Sequence, residues 1–262
     1  MTIGHHTTGT ERAGGSYVDA NGVHTYYEVK GTGEPLILLH GGLCAIETLA
    51  GLGAGLAERY QVYRPERRGH GRTPDVEGPF SYGQFADDTI AFVEALGLES
   101  VHVVGFSDGA TVGLLMALRR PDLVRSLVHI GQQANPSGMP ADFQEVMKLD
   151  AFPQGMLPPM LRDLYVSVSP DGSDHWDVIV DKEWQMIKSG EPNLDLSELA
   201  AVQAPTLVML GDNDMVTESH AADMASAIPT SDVVVVPNAT HALPMEKPEI
   251  VARAVIDFLA ED

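Results

Sequence analysis

The chain reads as an α/β protein, a mostly parallel β-sheet with helices on both faces. Three observations predict this. Apolar runs of strand length recur along the chain. Segments with helical periodicity lie between them. The runs are continuous rather than alternating, as in strands buried on both sides. A parallel connection also needs a crossover long enough to hold a helix, which the spacing provides.

The elements follow in order. Ser16–Ala20 and Val23–Lys30 are β-prone and flank Asn21-Gly22, a pair suited to the positive φ angles of a two-residue hairpin turn. Leu36-Ile37-Leu38-Leu39 is the first continuous apolar run, and residues 61–63, 101–104, 126–130, 206–210 and 233–236 repeat the pattern. Residues 82–96 place Phe85, Ile90, Phe92, Val93 and Leu96 near one helical stripe. Helices are predicted over Asp108–Arg119, closed by Pro121, over residues 219–228 and over Pro248–Leu259. The alternation breaks between residues 135 and 199, a stretch richer in Pro, Met and aromatic residues. This predicts a helical cap insertion (135–199) over the C-terminal edge of a core formed by residues 16–134 and 200–262, the edge where open α/β sheets bind ligands. Phe143, Met147 and Trp184 of the cap, with Leu43, Phe106 and Leu243 of the core, are the candidate pocket residues; most other cap aromatics and methionines are expected to pack the cap itself.

Composition narrows the partners. A formal charge of −21 over 262 residues repels phosphate backbones and anionic lipid, so neither nucleic acid nor membrane is an expected partner. Cys44 is the only cysteine, which rules out an internal disulfide and a cysteine-based zinc site. No apolar run reaches the roughly 18 residues of a membrane helix. Residues 1–15 are polar and lack the apolar stretch of a signal peptide; they read as a loose tail, with His5-His6 a solvated pair, and a cytoplasmic location is expected. Gly51, Gly53 and Gly55 do not make a dinucleotide loop, since no strand immediately precedes them and Leu56 stands where the third glycine belongs. No metal or organic cofactor is expected.

The chemistry is carried by Gly105-Phe106-Ser107-Asp108-Gly109, between a predicted strand and a predicted helix. Such a turn pushes the serine hydroxyl into the open, and the helix start aims backbone N–H groups where negative charge would develop. Activating the hydroxyl needs a histidine to take its proton and an acid to orient that histidine. The loop after residues 206–210 offers Asp212 and Asp214, and the loop after 233–236 offers His241. His40 precedes a glycine-rich loop, His70 lies in a glycine-rich turn where bracing is expected, and His102 and His129 fall at or in strands.

With these landmarks (Leu38-Leu39-His40-Gly41-Gly42, Arg68-Gly69-His70-Gly71-Arg72, the Ser107 pentapeptide, Gly211-Asp212-Asn213-Asp214 and Thr240-His241) the chain resembles the α/β-hydrolase family over essentially its whole length. The resemblance implies an eight-stranded sheet with a small helical cap, Ser107 as nucleophile, His241 as base and Asp214 as acid, with Asp212 the rival. It also implies an oxyanion hole from the N–H groups of Gly42 and Asp108, with Leu43 the alternative to Gly42. Three departures stand out. The nucleophile is serine rather than aspartate, which argues against haloalkane or epoxide chemistry through an alkyl-enzyme ester. Pro65-Glu66 replaces the family's frequent Pro-Asp, in a loop whose charge bears on the pocket. Asp108 puts a carboxylate beside the oxyanion, so its side chain must turn away, hold a proton or face a cation. The Ser-Asp-Gly elbow is also similar to that of amino-ester hydrolases related to biphenyl hydrolase, in which reading Asp108 pairs with a substrate ammonium; the other reading has its side chain bonded to neighbouring backbone or solvent. The activity implied is carboxylic-ester hydrolysis of a small molecule. Lactone opening, C–C bond hydrolysis and perhydrolysis use the same groups, and a slow-turnover ligand receptor is the alternative of another class.

Overall fold

Two antiparallel strands start the sheet. β1 (Ser16–Ala20) and β2 (Val23–Lys30) pair around Asn21 at φ 49° and Gly22 at φ 76°. The computed structural model describes residues 14–260, so the tail predicted over residues 1–15, with His5 and His6, lies outside the described residues apart from Gly14 and Gly15. The remaining strands are β3 (Pro35–Leu39), β4 (Gln61–Pro65), β5 (Val101–Phe106), β6 (Val124–Ile130), β7 (Thr206–Asn213) and β8 (Ser231–Thr240). They form one eight-stranded sheet in the order β1-β2-β4-β3-β5-β6-β7-β8. β2 meets β4 antiparallel, and every pair from β4 to β8 is parallel.

The continuous apolar runs are explained by two cores. Leu36 and Leu38 point to one face with Val104, Phe106, Val128 and Ile130; Ile37 and Leu39 point to the other with Val101, Val103 and Leu127. α1 (Ala50–Leu56) covers the first face. α2 (Tyr82–Ala95) and α3 (Asp108–Arg119) cover the second. α2 begins at Ser81, whose side chain accepts the Gln84 N–H at 3.1 Å, a standard N-cap. Its buried residues Tyr82, Phe85, Ala86, Thr89, Phe92 and Val93 recur at helical spacing. Each fully buried Phe contributes roughly 2–3 kcal/mol by removal from water.

Between β6 and β7 lie α4 (Ala141–Val146), α5 (Pro159–Val168) and α6 (Trp176–Lys188), with no strand among the described residues there. Ile179 and Met186 of α6 join the core that α2 and α3 share with the sheet. α7 (Glu218–Ala227), the short α8 (Leu243–Glu246) and α9 (Pro248–Leu259) complete the chain.

Two elements depart from the sequence reading. α1 was not predicted, because Gly51, Gly53 and Gly55 lower helix propensity. Packing overrides it: a Cβ at Gly55 would meet Ala252 Cβ at 2.8 Å and one at Gly51 would meet Pro248 Cβ at 3.0 Å, so the glycines let α1 lie close against α9. β8 is not buried on both faces. It is the sheet edge, and Val233 and Val235 are 42% and 36% exposed.

The strand-to-helix turn at β5–α3 depends on bare backbone. A Cβ at Gly109 would meet Leu39 O at 2.4 Å and His40 O at 2.7 Å, both main-chain atoms that cannot swing aside. Gly109→Ala is therefore expected to destabilise the fold by about 1–3 kcal/mol. Gly155→Ala, where nothing lies within 4 Å, serves as the control. Thermal melting of the two variants checks this, and equal midpoints would contradict the packing argument.

Candidate active site

Ser107 is the residue at which β5 becomes α3. Its backbone takes φ 53° and ψ −122°, outside the regions a residue with a Cβ prefers, at a cost of about 1–3 kcal/mol. The surroundings fix it there. Ser107 N–H donates to Ile130 O at 2.8 Å, and the Ala110 N–H returns to Ser107 O at 2.8 Å. The hydroxyl is thereby lifted clear of the sheet.

Asp214 and His241 are the first residues after β7 and β8, so parallel strands deliver all three side chains to one edge. Ser107 Oγ–H donates to His241 Nε2 at 3.0 Å, and His241 Nδ1–H donates to Asp214 Oδ1 at 2.7 Å. The Asp214 side chain is buried and also accepts the Met215 N–H at 2.7 Å. Asp212 is exposed. Its oxygens accept the N–H groups of Asn238 at 2.9 Å and Ala239 at 3.1 Å, bracing the end of β8 that leads to His241, and these bonds hold its carboxyl below the usual range.

Above the serine lies the loop after β3. Among the described residues, the backbone N–H groups of Gly42 and Asp108 have no protein acceptor. Leu43 offers no such free N–H. Its N–H is committed to His70 Nε2 at 3.1 Å, and its backbone sits at φ 54°.

The three groups open into a cavity of about 740 Å³. Leu43, Phe106 and Phe143 line it as predicted; Met147, Trp184 and Leu243 do not. Met147 caps the end of α4 and is not part of the lining. Trp184 stands behind Phe152, ring centroids 5.1 Å apart, and Leu243 is fully buried in the core shared with α1 and α9. Cys44 lines the cavity too, but burial pushes its thiol up to about 11, which suits a packing residue.

Sequence reasoning missed Glu183. It is 1% exposed on α6 and lines the cavity beside Asp108. The signal was present: Trp176, Ile179, Glu183 and Met186 are buried at helical spacing, so an acid occupies an apolar-face position. Asp108 Oδ1 accepts the Tyr82 hydroxyl at 2.7 Å, and Oδ2 lies 3.6 Å from Arg67 Nη2. Asp108 Oδ2 and both Glu183 oxygens find no partner if both acids are ionised. One proton between them resolves this. Burial, then the Asp108 charge, pushes the Glu183 carboxyl well above its ordinary value. Burial opposes the Asp108 charge as well, but hydrogen bonding from Glu183, the Arg67 charge and the Tyr82 hydroxyl together hold it below the usual range. Glu183 is the protonated partner and Asp108 the carboxylate, facing a cation as its position required. Gly42 makes room for them: a Cβ there would meet Glu183 Oε1 at 2.3 Å and Asp108 Oδ2 at 2.6 Å. The loop at Glu66 turns inward. Glu66 is fully buried, accepts Arg72 Nη1 at 2.8 Å, and is pushed up to about 7 by burial.

The fold agrees with the comparisons. The family model of the alpha/beta hydrolase family matches residues 36–254, and the chain belongs to that family. It is 26% identical to a putative carbamate hydrolase, RutD, of Azorhizobium caulinodans, over 94% of this chain and 98% of that one. It is also 26% identical to the 2-hydroxy-6-oxo-6-(2'-aminophenyl)hexa-2,4-dienoic acid hydrolase of Metapseudomonas resinovorans, over 93% and 90% of the two chains. Among solved structures, a meta-cleavage product hydrolase of Pseudomonas fluorescens has the same fold, with a TM-score of 0.77 at 22% identity, covering 94% of this chain and 98% of that one. No helix among the described residues is long and apolar enough to cross a membrane.

Two predictions follow from the site. Asp214→Asn is expected to cost at least about 10³-fold in turnover, by removing the partner that fixes the His241 tautomer. Asp212→Asn is expected to cost under about ten-fold, and the reverse order in steady-state kinetics would transfer the acid role. Glu183→Gln keeps a donor toward Asp108 but cannot ionise. A carboxyl raised in the folded state contributes stability that is full below its unfolded value near 4.5 and is lost as pH rises to its folded value. The melting temperature of the variant is therefore expected to gain on the wild type as pH rises above about 4.5; a pH-independent difference would contradict a buried protonated Glu183.

Proposed function

We propose that the chain is a serine hydrolase of carboxylic esters whose substrates are uncharged or carry an amine rather than a carboxylate. The observation that carries the first part is the continuous relay Ser107–His241–Asp214 beneath two free N–H groups. His241 Nε2 takes the hydroxyl proton as Ser107 Oγ attacks the ester carbon. The carbonyl electron pair moves onto oxygen, where Gly42 and Asp108 N–H groups receive it, each contributing about 3–4 kcal/mol of barrier reduction. Collapse expels the alcohol oxygen, which takes the proton back from His241, and leaves an acyl-Ser107. Water, deprotonated by the same histidine, then releases the acid and restores the serine.

The second part rests on charge. The acids lining the cavity are Glu47, Asp108, Glu183 and Glu191, and no Lys or Arg stands among the described residues that line it. Like charges about 4 Å apart cost roughly 4 kcal/mol at an effective dielectric near 20. This weighs against a dienoic acid of the kind named for the Metapseudomonas relative. An ammonium, in contrast, meets the Asp108 carboxylate, with Glu47 and Glu191 elsewhere on the wall. Neutral lactones, carbamates and diketones fit the same relay.

Three esters of equal length, ending in a methyl, an ammonium or a carboxylate, test the reading. The carboxylate ester is expected to have the lowest kcat/KM and the ammonium ester the highest, and Asp108→Ala to erase the ammonium preference while sparing neutral esters. Ser107→Ala is expected to lose about 10³-fold or more on all three. Preference for the carboxylate ester would overturn the charge argument. A single burst of p-nitrophenol from p-nitrophenyl acetate without turnover would favour the receptor reading.

A further inference from the structure

We infer that His70 is a positioning residue for the oxyanion hole: its unprotonated Nε2 anchors Leu43 in a left-handed turn and so aims the Gly42 N–H into the cavity. The inference rests on the hydrolase reading, and its test is chosen to be separable from that reading.

The argument starts from the peptide planes on either side of Gly42. The Gly41–Gly42 peptide is planar and trans, so its C=O and N–H point in opposite directions. Gly41 O accepts Arg67 Nη2 at 2.9 Å and His40 Nδ1–H at 2.8 Å. The Gly42 N–H therefore points away from Arg67. The next peptide is fixed by Leu43 N–H donating to His70 Nε2 at 3.1 Å. With both planes held, a glycine that would otherwise be free to rotate keeps one conformation.

His70 is suited to this by its own bonds. Its Nδ1–H donates to Arg68 O at 2.9 Å, which settles the tautomer and leaves Nε2 as an acceptor. The ring is 1% exposed and packs against His40, Phe80 and Phe85 at 5.4, 5.8 and 6.2 Å between centroids. Burial and the neighbouring Arg67 charge push its proton affinity down to about 3, so it stays neutral wherever the protein is assayed. Glu183 Oε2, 3.8 Å from Nε2, is too far to compete for the lone pair. Leu43 itself has a branched side chain, 7% exposed, at φ 54°, a backbone that needs such an anchor.

The test compares His70→Gln, whose amide oxygen replaces the acceptor, with His70→Met, of similar size and without it. Each is read by kcat and KM on a neutral ester, by the rate of Ser107 labelling with a fluorophosphonate, and by the inhibition constant of a boronic acid whose adduct places oxygen in the hole. For His70→Met the expected result is a 10- to 100-fold loss in kcat, matched in labelling rate and boronic acid affinity, with KM within two-fold. His70→Gln is expected to stay within about five-fold of wild type. Equal losses in the two variants, or a loss confined to KM, would overturn the inference. Should either variant fail to fold, amide exchange in the wild-type protein decides: Leu43 protected throughout and Gly42 protected only with the boronic acid supports it, and the reverse refutes it. Wild-type protein that labels with fluorophosphonate but turns over no ester would remove the ester reading and leave this one standing; no labelling would remove the hydrolase reading first.

Discussion

The site depends on a backbone collision that two missing side chains avoid. Gly105 and Gly109 face each other across the turn from β5 to α3; a Cβ on Gly105 would meet Gly109 O at 2.2 Å, and one on Gly109 would strike the carbonyls of the neighbouring β3. Only because both are bare can α3 begin directly at the strand end. That start forces Ser107 into its unfavourable conformation, frees the Asp108 N–H at the first turn of α3, and brings the loop after β3 within reach of the serine. Parallel pairing then does the rest, because β5, β7 and β8 end on the same edge and are followed at once by Ser107, Asp214 and His241.

Around this stands an unusual concentration of buried charge. Arg67 ties the loop carbonyl, lies over the Phe85 ring at 4.9 Å and faces Asp108, while Asp108 and Glu183 share a proton. Buried groups of this kind are weak stabilisers, since desolvation offsets most of the Coulombic gain. Their effect is on geometry and sign. They set the loop after β3, and they leave the cavity wall acidic on a protein already strongly negative.

What the sequence made legible was periodic or punctuated. The strands, α2, α3 and α9 were visible because each repeats apolar residues at one spacing or is bounded by a breaking residue, as Pro121 bounds α3. Ser107, Asp214 and His241 were visible because each sits at a fixed place after such a strand. What was not visible depended on tertiary contact. α1 hid behind glycines whose purpose is the approach of α9. The choice between Gly42 and Leu43 turned on a bond to a histidine 27 residues away. Trp184 and Leu243 looked like pocket residues because aromatic and apolar side chains serve equally as wall and as core, whereas Glu183 was passed over because an acid on a helix is ordinarily solvated.

Cys44 has a practical side. It is the one sulfhydryl in the chain and lies in the cavity wall, yet its thiol is pushed up to about 11. At neutral pH only about one molecule in ten thousand carries the thiolate that soft electrophiles seek. Iodoacetamide or a maleimide added to the folded protein therefore reports on opening of the structure rather than on occupancy of the cavity. Labelling of the folded chain is therefore expected to be slow, and to quicken when the wall beside Ser107 opens.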